Sequence, residues 1–134
     1  MFENLKSLLE NSYSPYSKFR VSAIIVTNDG KTFKGVNIEN ASYGATICAE
    51  RTAFVSAIAN GYKKGDFKEL HILCGDSNKI STCCYICRQF LVEFCDKYMP
   101  VICYDKSGNK EQFNVFELCT YPFEEMIYNK IRGI

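Results

Sequence analysis

An α/β fold with one mixed sheet of about five strands covered by helices is what this sequence predicts. Three observations carry that expectation. Helix-spaced and strand-like apolar segments interleave in the order α-β-β-α-β-α-β-β-α. Two turn sequences, Asn28-Asp29-Gly30-Lys31 and Ser107-Gly108-Asn109, each lie between strand-like runs, as in a hairpin. The chain has 134 residues, a length suited to one domain with a core of its own.

Each element has its own signal. Residues 2–11 put Phe2, Leu5, Leu8 and Leu9 on one side of a helix, and Pro15 breaks the chain beyond it. Residues 20–27 (RVSAIIVT) read as a buried strand. Gly30 permits the positive φ of the following turn, and residues 31–36 return. Residues 37–47 are polar and turn-rich, so a loop is expected. From Cys48 to about Asn60 the chain is Ala-rich and apolar on most sides, which suits a buried helix stopped by Gly61.

Residues 69–74 (ELHILC) form a further apolar strand, and 75–82 a loop. Over 84–98, Cys87, Phe90, Leu91, Phe94, Cys95 and Tyr98 follow amphipathic helical spacing, with Pro100 beyond. Residues 101–104 and 110–113 flank the second hairpin turn. Asn114 with Glu117 matches a capping box for a short helix, and a last helix is expected at 123–131. No repeat, low-complexity tract or linker divides the chain, so residues 1–134 form a single domain in this reading.

Composition narrows the function. Net charge is +1, with 47% hydrophobic and 23% charged residues, as in soluble globular proteins. No basic stripe marks a nucleic-acid partner, and no apolar run reaches the length of a membrane span. A pI near 7.5 gives no reason to expect a membrane-surface or acidic partner. The eight cysteines are the unusual feature. At about 6% of the chain they fall below the level of a disulfide scaffold. The opening MFENLKSLLE lacks a basic-then-apolar signal pattern, so a cytoplasmic location with reduced thiols is expected. Cysteine clusters there point to metal or catalysis.

Two clusters stand out: Cys48-Ala49-Glu50-Arg51 and Cys83-Cys84-Tyr85-Ile86-Cys87-Arg88-Gln89. Both fall at predicted helix N-termini, where free N–H groups and the helix dipole stabilise a thiolate. Cys84 and Cys87, one helical turn apart, can reach one metal, and Cys48 supplies a third sulfur. Three thiolates suit zinc with its fourth position open to water. Glu50, two residues past a ligand, can face that position as a proton carrier, and Arg51 can donate to the sulfurs. A C-x-x-C pair alone fits a redox dithiol or a structural zinc equally well. Joined to Cys-x-Glu it matches a known zinc-deaminase signature, which has three-cysteine versions.

At these residues the sequence resembles the small homotetrameric cytidine deaminases. The likeness is densest over 13–53 (YSPYSKFRVSAIIVTNDGKTFKGVNIENASYGATICAERTA), continues in CYICRQ at 84–89, and is fainter in LCTYPF at 118–123. The resemblance implies a three-layer αβα fold and one Zn2+ per subunit, held by Cys48, Cys84 and Cys87, with Glu50 as proton shuttle. It implies that Asn37 and Glu39 bind the ribose hydroxyls, and that Phe19 packs on the pyrimidine. The backbone at Cys48 and Ala49 is then expected to read the base edge. Ala41, Tyr43 and Phe123 would close the site of a neighbouring subunit, and Arg51 and Gln89 would surround the sulfurs.

The implied reaction converts cytidine or deoxycytidine to uridine or deoxyuridine plus ammonia, in pyrimidine salvage. The implied partners are a small nucleoside and copies of the chain, not nucleic acid or membrane.

Two departures from the family pattern matter. Cys83 stands where the family has proline, so it competes with Cys84 for the metal; the two-residue gap to Cys87 favours Cys84. Tyr85 replaces a glycine and is expected to narrow or reshape the pocket. That leaves open another aminated nucleoside, such as blasticidin S or a modified cytidine. From a different class, a non-catalytic zinc-stabilised interaction module is the alternative, in which Glu50 has no task. Cys74, Cys95, Cys103 and Cys119 read as core residues. The single histidine, His71, reads as a packed or edge-strand residue rather than a ligand.

Overall fold

The structure is a computed structural model that describes residues 1–124. Helix α1 (Phe2–Leu8) runs into a 3-10 turn at Leu9–Asn11. Strands β1 (Val21–Thr27) and β2 (Thr32–Val36) precede helix α2 (Ala49–Ala59). Strand β3 (Phe67–Cys74), helix α3 (Tyr85–Phe94), strands β4 (Pro100–Tyr104) and β5 (Lys110–Asn114), and helix α4 (Val115–Leu118) follow. The five strands form one sheet in the order β2-β1-β3-β4-β5. All neighbours are antiparallel except β3 and β4, so the sheet is mixed as the sequence predicts. No described helix is long and apolar enough to cross a membrane.

Side-chain alternation makes the layers. Ala23 and Ile25, Leu70 and Ile72, and Val101 and Cys103 point to the face covered by α2 and α3, where they meet Ala53, Phe54, Cys87 and Leu91. The intervening Ile24, Leu73, Ile102 and Tyr104 point to the other face and meet Leu5 and Leu9. The central strands are thus apolar on both faces, which is why they read as continuous runs. Phe54 is fully buried and edges against Phe67 and Phe90 at 4.8 and 5.7 Å between ring centres.

Several local signals act as read. Gly30 takes φ 87° in the first hairpin and Gly108 takes φ 90° in the second. The capping box is complete: Asn114 Oδ1 accepts from Glu117 N at 2.7 Å, and Glu117 Oε1 accepts from Asn114 N at 3.1 Å. Helix α2 ends at Gly61 (φ 99°), whose N–H donates to Ile58 O while Tyr62 N–H donates to Ala57 O. That pair of bonds is a Schellman stop.

Other expectations need correction. Strand β3 begins at Phe67, two residues early. The loop at 37–47 contains a 3-10 turn at Tyr43–Ala45 and a bridge between Ile38 and Ile47. The helix expected over 84–98 stops at Phe94. Cys95 is extended (φ −114°, ψ 150°), and Asp96 Oδ1 accepts from Tyr98 N at 2.8 Å, an Asx turn that helical spacing does not reveal. Cys103 is fully buried, whereas Cys95 and Cys119 are only half-buried. His71 is buried on the α1 face, its Nδ1 at 2.9 Å from the Tyr104 hydroxyl. The helix expected at 123–131 falls almost wholly outside the described residues.

The sheet's direction pattern positions the site. Strands β2 and β3 both run antiparallel to β1, and both end beside its start: Val36 opposite Ser22, and Cys74 opposite Val21. The loops that lead into α2 and α3 therefore leave from the same sheet edge, where the segment before β1 also enters. At Gly35 the backbone of α2 lies so close that a Cβ would collide with Ala49 O and Ala53 N. Gly35→Ala should cost about 1–3 kcal/mol of stability, as overpacking does, read as a lower urea midpoint at unchanged slope. A midpoint equal to wild type would show that α2 has room to move.

Candidate active site

Cys48 is the N-cap residue of α2 and Cys84 that of α3, both with extended backbone. Cys87 lies one turn into α3. The three sulfurs lie within 4.8 Å of one another, with Cys48 and Cys84 3.6 Å apart. Two sulfurs bound tetrahedrally to one zinc would be about 3.8 Å apart. Arg51 Nη2 donates to Cys48 Sγ at 3.6 Å, and the buried Arg51 Nε has no partner among the described residues. A guanidinium with a spare N–H, set against sulfurs, suits a three-thiolate centre with surplus negative charge. The donor set therefore fits zinc.

Cys83 is not in this cluster. It is 3% exposed and packs in the core, and burial pushes its thiol well up. A hydrogen bond with Cys87, helped by Arg51 and Cys84, draws the Cys48 thiol down to about 5 against the opposing effect of burial. The same bond, together with burial and the nearby negative charge of Glu50, pushes the Cys87 thiol up.

A cavity of about 270 Å³ opens beside the sulfurs. Its lining includes Cys48, Ala49, Glu50 and Cys84 together with Phe19, Asn37 and Glu39. Glu50 is 5% exposed, and burial pushes its carboxyl above the usual carboxylate range. Asn37 acts as a clasp: its Oδ1 accepts from Val21 N at 2.9 Å and from the Ser12 hydroxyl, and its Nδ2 donates to Phe19 O at 2.7 Å. Glu39 accepts from Tyr16 N at 2.9 Å, from Ser17 N at 3.1 Å and from the Ser17 hydroxyl, which holds its carboxyl below the usual range.

Other singled-out residues lie elsewhere. Ala41 is exposed, and Tyr43 and Phe123 are 83% and 89% exposed, none of them lining this cavity. The Gln89 side chain, read from the resemblance as a neighbour of the sulfurs, makes its hydrogen bonds elsewhere. Its amide donates to Phe123 O and its Oε1 accepts from Phe123 N at 3.1 Å. Tyr85 does not narrow the pocket. It is 74% exposed and outside the cavity lining, with the Arg88 guanidinium 4.4 Å from its ring centre. At the start of α3 its side chain is free to turn outward to solvent.

Four contributors escaped the sequence reading. Arg88 donates to Cys83 O at 2.7 Å, to Leu118 O at 2.9 Å and to Thr82 Oγ1, and so pins the loop before Cys84. Thr52 Oγ1 donates to Val36 O and Cys48 O, each at 2.8 Å, tying the start of α2 to β2. Cys74, read as core, is buried and also lines the cavity. Ser17 lines the cavity with Phe19 and Glu39, and its hydroxyl is hydrogen-bonded to both. Arg88 lies inside the second cysteine cluster, a signal that was present; the others carry no spacing signal.

Comparisons with known proteins agree with this geometry. The family model for the cytidine and deoxycytidylate deaminase zinc-binding region matches residues 1–103. The cytidine deaminase of Mycoplasma genitalium is 34% identical over 125 residues, covering 93% of this chain and 94% of that protein. The cytidine deaminase of Sporosarcina psychrophila is 39% identical over 120 residues, 90% of this chain and 86% of that protein. A crystal structure of cytidine deaminase from Burkholderia pseudomallei superposes with TM-score 0.86 at 39% identity, covering 91% of this chain and 95% of that one.

Proposed function

The chain belongs to the cytidine and deoxycytidylate deaminase family of zinc-binding domains, and on that premise we propose that it hydrolyses cytidine or deoxycytidine to the uracil nucleoside and ammonia. The observation that carries this reading is the buried Glu50 carboxyl, which lines a cavity beside three clustered sulfurs. A structural site has no use for such a group.

Cys48, Cys84 and Cys87 would hold the zinc, and the metal would supply a water acidified enough to attack at neutral pH. Glu50 takes a proton from the attacking water and delivers it to N3 of the pyrimidine. It then takes the remaining proton from the new hydroxyl at C4 and carries it to the C4 amine, which leaves as ammonia as the C4 carbonyl forms. Its raised affinity for protons suits both transfers, since a carrier works best near the operating pH. Phe19 offers a ring face to the base, and Glu39 accepts from a sugar hydroxyl. Asn37, already engaged three ways, contributes at most its remaining amide hydrogen. The backbone at Ala49 meets the base edge.

Tyr85 stands away from the cavity, so it gives no support to a modified nucleoside as substrate. Ala41, Tyr43 and Phe123 are assigned to contacts between copies of a homotetramer, each closing a neighbour's site. No disulfide joins any of the eight cysteines, which suits a cytoplasmic location. The test is ammonia release from cytidine by zinc-loaded protein, with metal content measured on the same preparation. One ammonia per uridine is expected. Zinc-loaded protein that releases none from either nucleoside would favour the non-catalytic module.

A further inference from the structure

We propose that Ser17 is a positioning residue for the nucleoside sugar: it presets the Glu39 carboxylate and couples it to Phe19 through a single hydroxyl. The inference rests on the proposed function of this cavity and names a device within it.

The geometry is specific. A serine hydroxyl has one proton to give, and here it goes to Glu39 Oε2. Ser17 Oγ in turn accepts from Phe19 N at 3.0 Å. The direction of the chain is thereby settled: Phe19 N–H to Ser17 Oγ, and Ser17 O–H to Glu39. Each bond polarises the next. The Ser17 and Tyr16 backbone N–H groups both donate to Glu39 Oε1, at 3.1 and 2.9 Å. A carboxylate offers about four acceptor sites, and three donors already reach Glu39. One acceptor site is left on a carboxylate that lines the cavity together with Phe19. A ligand hydroxyl is the donor that fits it.

The backbone at this turn is also unusual. Lys18 has φ 60°, the left-handed region that a side chain other than glycine enters at a cost. Such strain persists only where neighbours over-determine it, and it clusters at ligand clamps. Here Lys18 N donates to Ser14 O at 3.0 Å, Phe19 N to Ser17 Oγ, and Asn37 Nδ2 to Phe19 O. The reversal brings both the Phe19 N–H and the Glu39 carboxylate within hydrogen-bond reach of the Ser17 hydroxyl. Without that hydroxyl, Glu39 would keep only the two backbone donors on Oε1, and binding a sugar would have to fix the rest of the carboxylate, which lowers affinity.

The test compares wild type, Ser17→Ala and Ser17→Thr, all zinc-loaded, on ligands with and without sugar hydroxyls. KM is measured for cytidine and 2′,3′-dideoxycytidine, and Kd for uridine and 2′,3′-dideoxyuridine by calorimetry. Ser17→Ala should raise KM and Kd for the hydroxylated ligands about tenfold, with kcat nearly unchanged, the pattern of lost uniform binding. The rise for the dideoxy ligands should be several-fold smaller. Ser17→Thr, which keeps the hydroxyl, should restore most of the affinity. An equal rise for both ligand types, no rise at all, or a threonine variant as impaired as alanine would overturn the proposal. The Kd values need no turnover. Wild type that shows this binding pattern yet releases no ammonia would overturn the proposed reaction while supporting the role of Ser17.

Discussion

Glu50→Gln should abolish turnover while keeping one zinc per chain. The amide fills the same space in α2 but cannot accept the water proton or return it to the pyrimidine. Loss of a general acid–base group costs about 10²–10⁴ in rate. Because Glu50 serves several transfers in one cycle, the loss should lie at the upper end. Folding should survive. The group is 5% exposed, and burial disfavours its charged form, so a neutral isostere removes a penalty. The variant should therefore melt no lower than wild type at neutral pH. Metal content, a melting curve and steady-state rates on one preparation check all three statements. Full activity in the glutamine variant would sink the assignment of Glu50.

The second large effect separates two adjacent cysteines. Cys84→Ala should lose zinc and activity together, while Cys83→Ala should keep both. Cys84 is exposed and its sulfur lies 3.6 Å from that of Cys48, so truncation removes a ligand but little packing. Cys83 is 3% exposed among core residues, so its truncation should cost about 1 kcal/mol of stability, as small core deletions do. Zinc per chain by elemental analysis and the urea midpoint read the two variants. Zinc kept by the Cys84 variant and lost by the Cys83 variant would reverse the ligand register.

Much of the fold is legible because its signals are local. Asn28-Asp29-Gly30 makes a hairpin because glycine alone accepts φ 87° freely. Asn114 and Glu117 announce α4 because a capping box closes within four residues. The end of α3 is less legible. Apolar spacing continues through Tyr98, but the chain must turn toward β4, and the Asp96 carboxylate holds that turn. Tyr98 is left 65% exposed. Periodicity records which side of a helix is apolar, not where tertiary geometry cuts the helix short.

For the site, spacing along the chain brought out Cys48, Glu50, Cys84 and Cys87, because one helical turn and one N-cap suffice to relate them within each cluster. The eight cysteines, in a charge-balanced chain, already pointed to a metal. Only the tertiary structure decided what crosses between segments. It buried Cys83 and left Cys84 beside Cys48. It turned Tyr85 outward, engaged Gln89 with Phe123, and set Arg88 as a brace across Thr82, Cys83 and Leu118. It also joined Ser17 to Glu39, 22 residues away. The reason is directional. Two strands that both end beside the start of β1 bring three distant loops to one sheet edge, and that register is a property of the folded sheet rather than of any local stretch of sequence.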